Sequence, residues 1–161
     1  MKKFKLCIVF LLIFILQGCA FEDPKYIHFK DKPSNDYYTK EIYSKMLNHE
    51  DYSLSIFNTD LYKNIPIDDD DEKVVENFIR ELSKEDYKEY EAITDKEPYD
   101  IKINFADGNK YILKIYNNTT VSVSPWDGIF HEDIINMDNV PIRYNLYDFC
   151  KHVENESKLN Q

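Results

Sequence analysis

The sequence predicts an α+β domain in which an antiparallel β-meander carries helices packed on one face. Two patterns indicate this fold. Apolar and polar side chains alternate through residues 99–115 on both sides of Asp107-Gly108, as they do in two strands joined by a tight turn. Residues 74–82 and 146–153 instead repeat apolar side chains every three or four positions, which is typical of amphipathic helices.

Three further elements are expected before this hairpin. A first helix is predicted over residues 36–48, where one apolar stripe is formed by Ile42, Tyr43, Met46 and Leu47. Residues 52–57 alternate enough to form a strand, and residues 61–67 are its expected hairpin partner. The carboxylates of residues 68–71 mark the start of the helix over 74–82, because acids there complement the helix dipole and cap free N–H groups.

The chain after the hairpin completes the sheet and ends in a helix. Asn117-Asn118 is expected to turn into a third meander strand over residues 119–124, followed by a fourth short strand within 129–137. Asn145 is the expected cap of the last helix, and the stripe of that helix places Cys150 in the core. Residues 157–161 are polar and are expected to fray.

The first 19 residues have the pattern of an export signal. Lysines at positions 2, 3 and 5 precede the apolar run Leu6–Leu16, which is shorter than the roughly 20 residues of a spanning helix. The run ends in Leu16-Gln17-Gly18-Cys19, which resembles the cleavage motif of bacterial lipoproteins. That resemblance implies cleavage before Cys19, diacylation of its sulfur, and attachment to the extracytoplasmic face of the cell membrane.

The expected organisation is a signal peptide over 1–18, a lipidated N-terminus and flexible tether over 19–36, one globular domain over 37–156, and the tail. Without residues 1–18 the chain keeps 17 basic and 30 acidic residues, a formal charge of −13. Phosphate binding needs clustered Lys or Arg, so this charge argues against nucleic acid as a partner. The membrane partner is therefore expected to be reached through the lipid on Cys19.

No catalytic residue, and no enzyme class, is predicted. The sequence lacks Gly-x-Ser-x-Gly and Ser-x-x-Lys spacings, and Cys150 and His152 stand two positions apart, where helical residues do not face each other. With only 3 glycines the chain is poorly suited to glycine-loop phosphate chemistry, and no cofactor is expected.

The acidic run 68–72 is interpreted as a solvated helix cap. Its alternative is a divalent-cation site, for which the weak candidates are Asp68, Asp70 and Glu72, because hard cations take oxygen ligands at alternating loop positions. The turn glycine of a calcium-binding helical loop is absent, and Ile79 stands where such a loop carries its twelfth-position glutamate. No metal is therefore expected.

The loop Pro125-Trp126-Asp127-Gly128 is the candidate binding site. Its tryptophan, the only one in the chain, either covers the sheet edge as part of the core or serves as an exposed aromatic anchor. We favour a buried ring for Trp126, with Asp127, His131 and Arg143 at the rim as polar orienting groups.

Residues 50–153, from the hairpin through this loop to Pro141-Ile142-Arg143-Tyr144, resemble uncharacterised lipoproteins of clostridia-like, low-GC Gram-positive bacteria. The resemblance supplies no reaction, ligand or catalytic residue. The expected function is that of a non-catalytic protein- or peptide-binding module, lipid-anchored at the cell envelope. The alternative is an accessory lipoprotein that binds a small ligand or a divalent cation.

Overall fold

The computed structural model describes residues 31–159, apart from the side chains of Asp69 and Asp70. The expected signal peptide and Cys19 lie outside the described residues. The helices are α1 (Tyr37–Leu47), α2 (Asp69–Glu81) and α3 (Leu146–Leu159). The strands are β1 (Tyr52–Asn58), β2 (Lys63–Pro66), β3 (Tyr87–Lys88), β4 (Tyr99–Phe105), β5 (Lys110–Ile115), β6 (Thr120–Pro125) and β7 (Asp133–Asn136).

The strands form one antiparallel sheet of seven strands in the order β2-β1-β4-β5-β6-β7-β3. The predicted hairpin lies at its centre, where Tyr99 pairs with Ile115 and Ile103 with Tyr111. Gly108 makes the turn possible, because its φ of 95° lies in the left-handed region that side chains disfavour. The expected meander is therefore confirmed, and further strands extend it at both edges.

The helices cover one face of this sheet, which confirms the predicted α+β class. Alternate strand residues point towards the helices and are fully buried, as at Ile101, Ile103 and Leu113. Each helix adds its apolar stripe to the same core, with Ile42 from α1, Val75 and Phe78 from α2, and Leu146, Phe149 and Cys150 from α3. The predicted core position of Cys150 is confirmed.

Strand β3 and its connection to β4 are not foreseen in the sequence. β3 pairs through only two residues with β7, at the edge of the sheet. In the sheet, β3 lies four strands away from β4, and every neighbouring pair between them is antiparallel, so β3 and β4 run in the same direction. The connecting residues 89–98 must therefore pass over β7, β6 and β5. Ser122 and Ile134 are buried although the strand alternation turns them away from the helices. We conclude that the connection crosses the face opposite the helices.

A buried carboxylate joins α1 to the sheet. Asp133, the first residue of β7, accepts hydrogen bonds from the Thr39 backbone N–H at 2.7 Å and from the Thr39 hydroxyl at 2.8 Å. The Nζ of Lys32 lies 2.6 Å from its other oxygen. The flanking Asp36 makes no side-chain capping bond to α1, so Asp133 supplies the N-terminal cap from a distant strand.

A second carboxylate fixes α3. Glu154 accepts hydrogen bonds from the Tyr99 hydroxyl at 2.6 Å and from the Asn58 side-chain amide at 3.1 Å. Its other oxygen lies 2.5 Å from the Nζ of Lys158. The hydrogen bonds from Lys158 and Tyr99 hold the pKa of Glu154 below its usual range. This network attaches the helix to the last residue of β1 and the first residue of β4.

Helix α3 begins where the sequence predicted but ends later than predicted. Asn145 is the predicted cap, and its side-chain oxygen accepts from the backbone N–H groups of Tyr147 and Asp148. The helix continues to Leu159, three residues into the segment for which fraying was expected. Within residues 31–159, no helix combines the length and the apolar character that crossing a bilayer requires.

The first testable prediction concerns Asp100, on the face crossed by residues 89–98. Burial, followed by the nearby charge of Glu97, raises the pKa of Asp100 from 3.8 to about 6. A raised carboxyl pKa favours the protonated folded state, so its stabilising effect is complete below pH 3.8 and is lost as the pH rises through about 6. The free energy of unfolding is measured in urea at about pH 4 and at about pH 7. Between these two pH values, that free energy should fall by about 1–2 kcal/mol more in the wild type than in Asp100→Asn.

Asp148→Asn is the matched control, because Asp148 is an exposed residue of α3. The control should keep the wild-type dependence of unfolding free energy on pH. An unchanged dependence in Asp100→Asn would contradict the assignment.

Candidate functional site

A cleft of about 630 Å³ lies between α1 and the segment 125–130, which follows β6. Helix α1 contributes Tyr37, Tyr38, Glu41, Ser44 and Lys45. The opposite wall is formed by Pro125, Asp127, Gly128, Ile129 and Phe130. Tyr111 of β5 also lines the cleft, which therefore combines aromatic rings with charged groups.

The segment 125–130 is fixed to α1 by one tyrosine. The hydroxyl of the buried Tyr38 accepts a hydrogen bond from the Phe130 backbone N–H at 2.9 Å and lies 3.3 Å from the Phe130 carbonyl oxygen, to which it donates. A Cβ at Gly128 would lie 3.0 Å from the Pro125 side chain and 3.1 Å from the Tyr38 hydroxyl. These contacts are tighter than side chains usually make, so any other residue at position 128 would require Pro125 or Tyr38 to shift by a few tenths of an ångström.

Edge-to-face ring contacts form the inner part of the cleft. The ring centroid of Tyr37 lies 5.6 Å from that of Phe130, with the planes at 85°, and 5.3 Å from that of Tyr38. The Nζ of Lys32 lies 5.4 Å from the centroid of the Tyr38 ring. This aromatic cluster thus already accommodates one ammonium group of the protein.

The charged groups of the cleft differ in how they are compensated. Lys45 lies 3.0 Å from a carboxylate oxygen of Glu50 and 2.5 Å from one of Asp107. The hydrogen bonds that Lys45 donates to these two carboxylates raise its own pKa, and Lys45 in turn lowers the pKa of Asp107 to about 2. The charge of Lys45 is therefore compensated by two carboxylates of the protein itself. Among the described residues, Asp127 has no hydrogen-bond or ion-pair partner.

Glu41 is held by tyrosine hydroxyls. The Tyr111 hydroxyl donates to it across 3.3 Å, and burial followed by the charge of Glu41 raises the pKa of Tyr111 to about 12. A hydrogen bond to Glu41 also raises the pKa of Tyr37. The Tyr111 phenol therefore orients this carboxylate, and it carries no positive charge that would neutralise it.

The expected burial of Trp126 is wrong. Its side chain is 69% exposed. The physical reason is the alternation of β6: Val121 and Val123 face the helices, whereas Trp126 continues the strand ladder by donating its N–H to the Lys110 carbonyl at 2.9 Å and so faces the other side. There it borders a shallow depression of about 330 Å³ with Lys102, Asn104, Lys110 and Ile112.

The other predicted binding residues are not gathered around Trp126. Asp127 lines the cleft. The ring of His131 stacks on Tyr90, with centroids 4.1 Å apart. The guanidinium of Arg143 lies 4.7 Å from the centroid of the Tyr144 ring, in the short 3₁₀ turn before α3. Of the four predicted residues, only Asp127 contributes to the cleft.

The acidic run before α2 forms the predicted helix cap. The Asp68 side chain accepts a hydrogen bond from the Asp71 backbone N–H at 3.1 Å. The side chain of Asp70 lies outside the described set, and Glu72 has interactions within the protein. In the part of the chain that is described, no group of three His, Cys, Asp or Glu side chains is placed to hold a metal ion.

Cys150 and His152 do not form a catalytic pair. The thiol is fully buried, and burial raises its pKa, which removes the reactive thiolate. His152 is exposed and lies 3.5 Å from Glu156 on the same helix. Tyr37, Tyr38 and Glu41 were not among the predicted site residues, although the two adjacent tyrosines at the start of the first helix are visible in the sequence.

The fold and the cleft define a small α+β domain with an aromatic, acidic groove next to α1 and with an exposed tryptophan on the opposite face of the sheet. Residues 32–150 match the family model described as Domain of unknown function (DUF4883), and the chain belongs to this family.

Among solved structures, the chain is similar to that of a candidate lipoprotein from Clostridium perfringens, with a TM-score of 0.71 and 24% sequence identity. The alignment covers 77% of this chain and 98% of that chain. At this identity the similarity establishes a shared fold. It agrees, as far as the fold is concerned, with the resemblance to clostridial lipoproteins that the sequence indicated. No curated protein matches the chain.

The second prediction tests the position of Trp126. Because the ring is exposed, the native protein should show red-shifted tryptophan emission that acrylamide quenches readily. Trp126→Ala should change the unfolding free energy by no more than about 0.5 kcal/mol. The contrasting variant is Phe78→Ala, whose side chain is fully buried, and it should cost about 3–5 kcal/mol. Blue-shifted emission that acrylamide does not quench would contradict the exposed position and would show that the Trp126 ring is buried.

Proposed function

We propose that this protein is a lipid-anchored, non-catalytic module that binds a protein or peptide partner at the extracytoplasmic face of the cell envelope. The observation that carries the proposal is the loop 125–130. It presents Trp126, 69% exposed, and Ile129, 63% exposed, to solvent while Tyr38 holds its backbone in place. A fixed loop with exposed apolar side chains is suited to binding, because little conformational entropy is lost on contact.

The proposed anchor is the lipid on Cys19. The motif Leu16-Gln17-Gly18-Cys19 supports it, as does the fold shared with a candidate lipoprotein of Clostridium perfringens. Twelve residues separate Cys19 from Lys32, where the described domain begins to contact β7. A stretch of that length can span at most about 45 Å.

The lining of the cleft gives no support to nucleophilic catalysis by a cysteine or to acid–base catalysis by a histidine. Neither a histidine nor a cysteine is among the described residues that line the cleft. Lys45, its lysine, is engaged by the carboxylates of Glu50 and Asp107.

A small organic ligand is the second candidate, and the volume of the cleft favours it. About 630 Å³ lies within the range of roughly 300–1,000 Å³ typical of ligand pockets. In this alternative the protein is an accessory lipoprotein that presents a small molecule at the envelope. The divalent-cation form of the alternative has less support, because Asp68 is used as a helix cap.

The third prediction tests the anchor. Cys19→Ser removes the sulfur that carries the diacylglyceryl group, so metabolic labelling with an alkyne fatty acid should be lost and the precursor should accumulate. Cys7→Ser is the matched control, because Cys7 lies within the signal segment that is removed. Labelling that persists in Cys19→Ser would exclude the lipoprotein assignment.

The fourth prediction tests the binding surface. A photo-crosslinking amino acid, p-benzoylphenylalanine, replaces Trp126 in one variant and Ile142 in another, both in intact cells. Both side chains are exposed, at 69% and 85%. Ile142 is a matched control because it is distant from Trp126. Its 3₁₀ turn ends at Asn145, whose side chain contacts the β5–β6 turn, and that turn lies at the opposite end of β6 from Trp126.

Irradiation should give a discrete protein adduct from position 126 and none from position 142. Identification of the adduct by mass spectrometry and capture of the same protein by the purified wild type would complete the test. The absence of an adduct at 126, or the same adduct from both positions, would contradict the proposal.

A further inference from the structure

The cleft between α1 and the segment 125–130 carries more negative charge than the protein compensates. Its charged groups are Glu41, Glu50 and Asp127 against Lys45. Lys45 is shared between Glu50 and Asp107, so it has no charge to offer the other two carboxylates. Glu41 on the helix and Asp127 on the loop therefore lie on opposite walls as acids that have no basic partner within the described part of the chain.

Glu41 is positioned before any ligand arrives. It accepts from the Tyr111 hydroxyl at 3.3 Å, and Tyr37 lies four positions earlier in the first turn of the same helix. A phenol donates a hydrogen bond to a carboxylate without supplying a positive charge, so this contact orients Glu41 and does not pair it with a cation. Charge-assisted hydrogen bonds to such a group are stronger than those between neutral partners.

The walls between these acids suit the stem and the head of a long basic side chain. Tyr37, Ile129 and Phe130 supply apolar surface, and the electron-rich faces of aromatic rings attract cations.

We propose that this cleft binds the side chain of a lysine or arginine of a peptide partner, with the cation between Glu41 and Asp127 and its stem against Tyr37 and Phe130. The inference rests on the proposed function and names the residue class that the module selects. The same cationic amine group could also belong to a free diamine, and the experiment distinguishes a peptide side chain from a free diamine.

The test selects peptides from a random heptapeptide library on the full-length, lipid-anchored protein in detergent micelles. Sequences with lysine or arginine at one position should be enriched. Each selected peptide is then compared by calorimetry with its counterpart carrying Nε-acetyl-lysine or citrulline, and with 1,5-diaminopentane. Removal of the charge should weaken binding at least about tenfold, or about 1.4 kcal/mol, and the diamine should bind more weakly than the peptide.

Two variants locate the effect. Glu41→Gln keeps the acceptor oxygen for Tyr111, and Asp127→Asn changes an exposed side chain, so both should fold. Combined, they should remove the preference for the charged peptide. The matched control is Asp148→Asn on α3, which should retain it.

The outcomes separate this inference from the proposed function. Selected peptides without a basic residue, equal affinity for charged and neutral peptides, or a preference that survives the double variant would overturn the inference while leaving a peptide-binding module. Tighter binding of the diamine than of any peptide would assign the cleft to a free amine. A library that yields no peptide, together with no adduct from position 126, would overturn both.

Discussion

The buried carboxylate of Asp133 joins three separate parts of the chain. It caps α1 through Thr39 at 2.7 Å, pairs with Lys32 at 2.6 Å, and belongs to β7. Burial raises the pKa of Asp133, and the hydrogen bonds from Lys32 and Thr39 limit the rise. A buried charge with these partners is costly to leave unpaired, so α1 has one strongly favoured position on the sheet.

That position determines the cleft. Tyr38 and Glu41 lie within the first two turns of α1, and Tyr38 in turn holds the backbone of Phe130, only three residues before Asp133. The helix and the loop are therefore fastened to each other at two neighbouring points, by a tyrosine hydroxyl and by a carboxylate. The result is a groove whose acids and rings keep their places without a ligand, which is the property that a selective binding module requires.

The sequence was sufficient where the signal is local. The alternation through residues 99–115, the acidic cap before α2 and the Asn145 cap of α3 depend on neighbours in the chain, and all appear in the structure. The strand β3 has two residues and no period to detect. The cleft depends on contacts such as Tyr38 to Phe130, 92 residues apart, which no local pattern reveals. The exposure of Trp126 was within reach, because it follows from the alternation of β6.

The most direct test of this account is amide hydrogen exchange in Asp133→Asn, compared with the wild type. The account predicts faster exchange in the first two turns of α1 and at Phe130, whose N–H is held by Tyr38, while the central strands β4 and β5 keep their protection. Unchanged protection of α1 and Phe130, or a uniform loss of protection across the sheet, would contradict the claim that Asp133 builds the cleft.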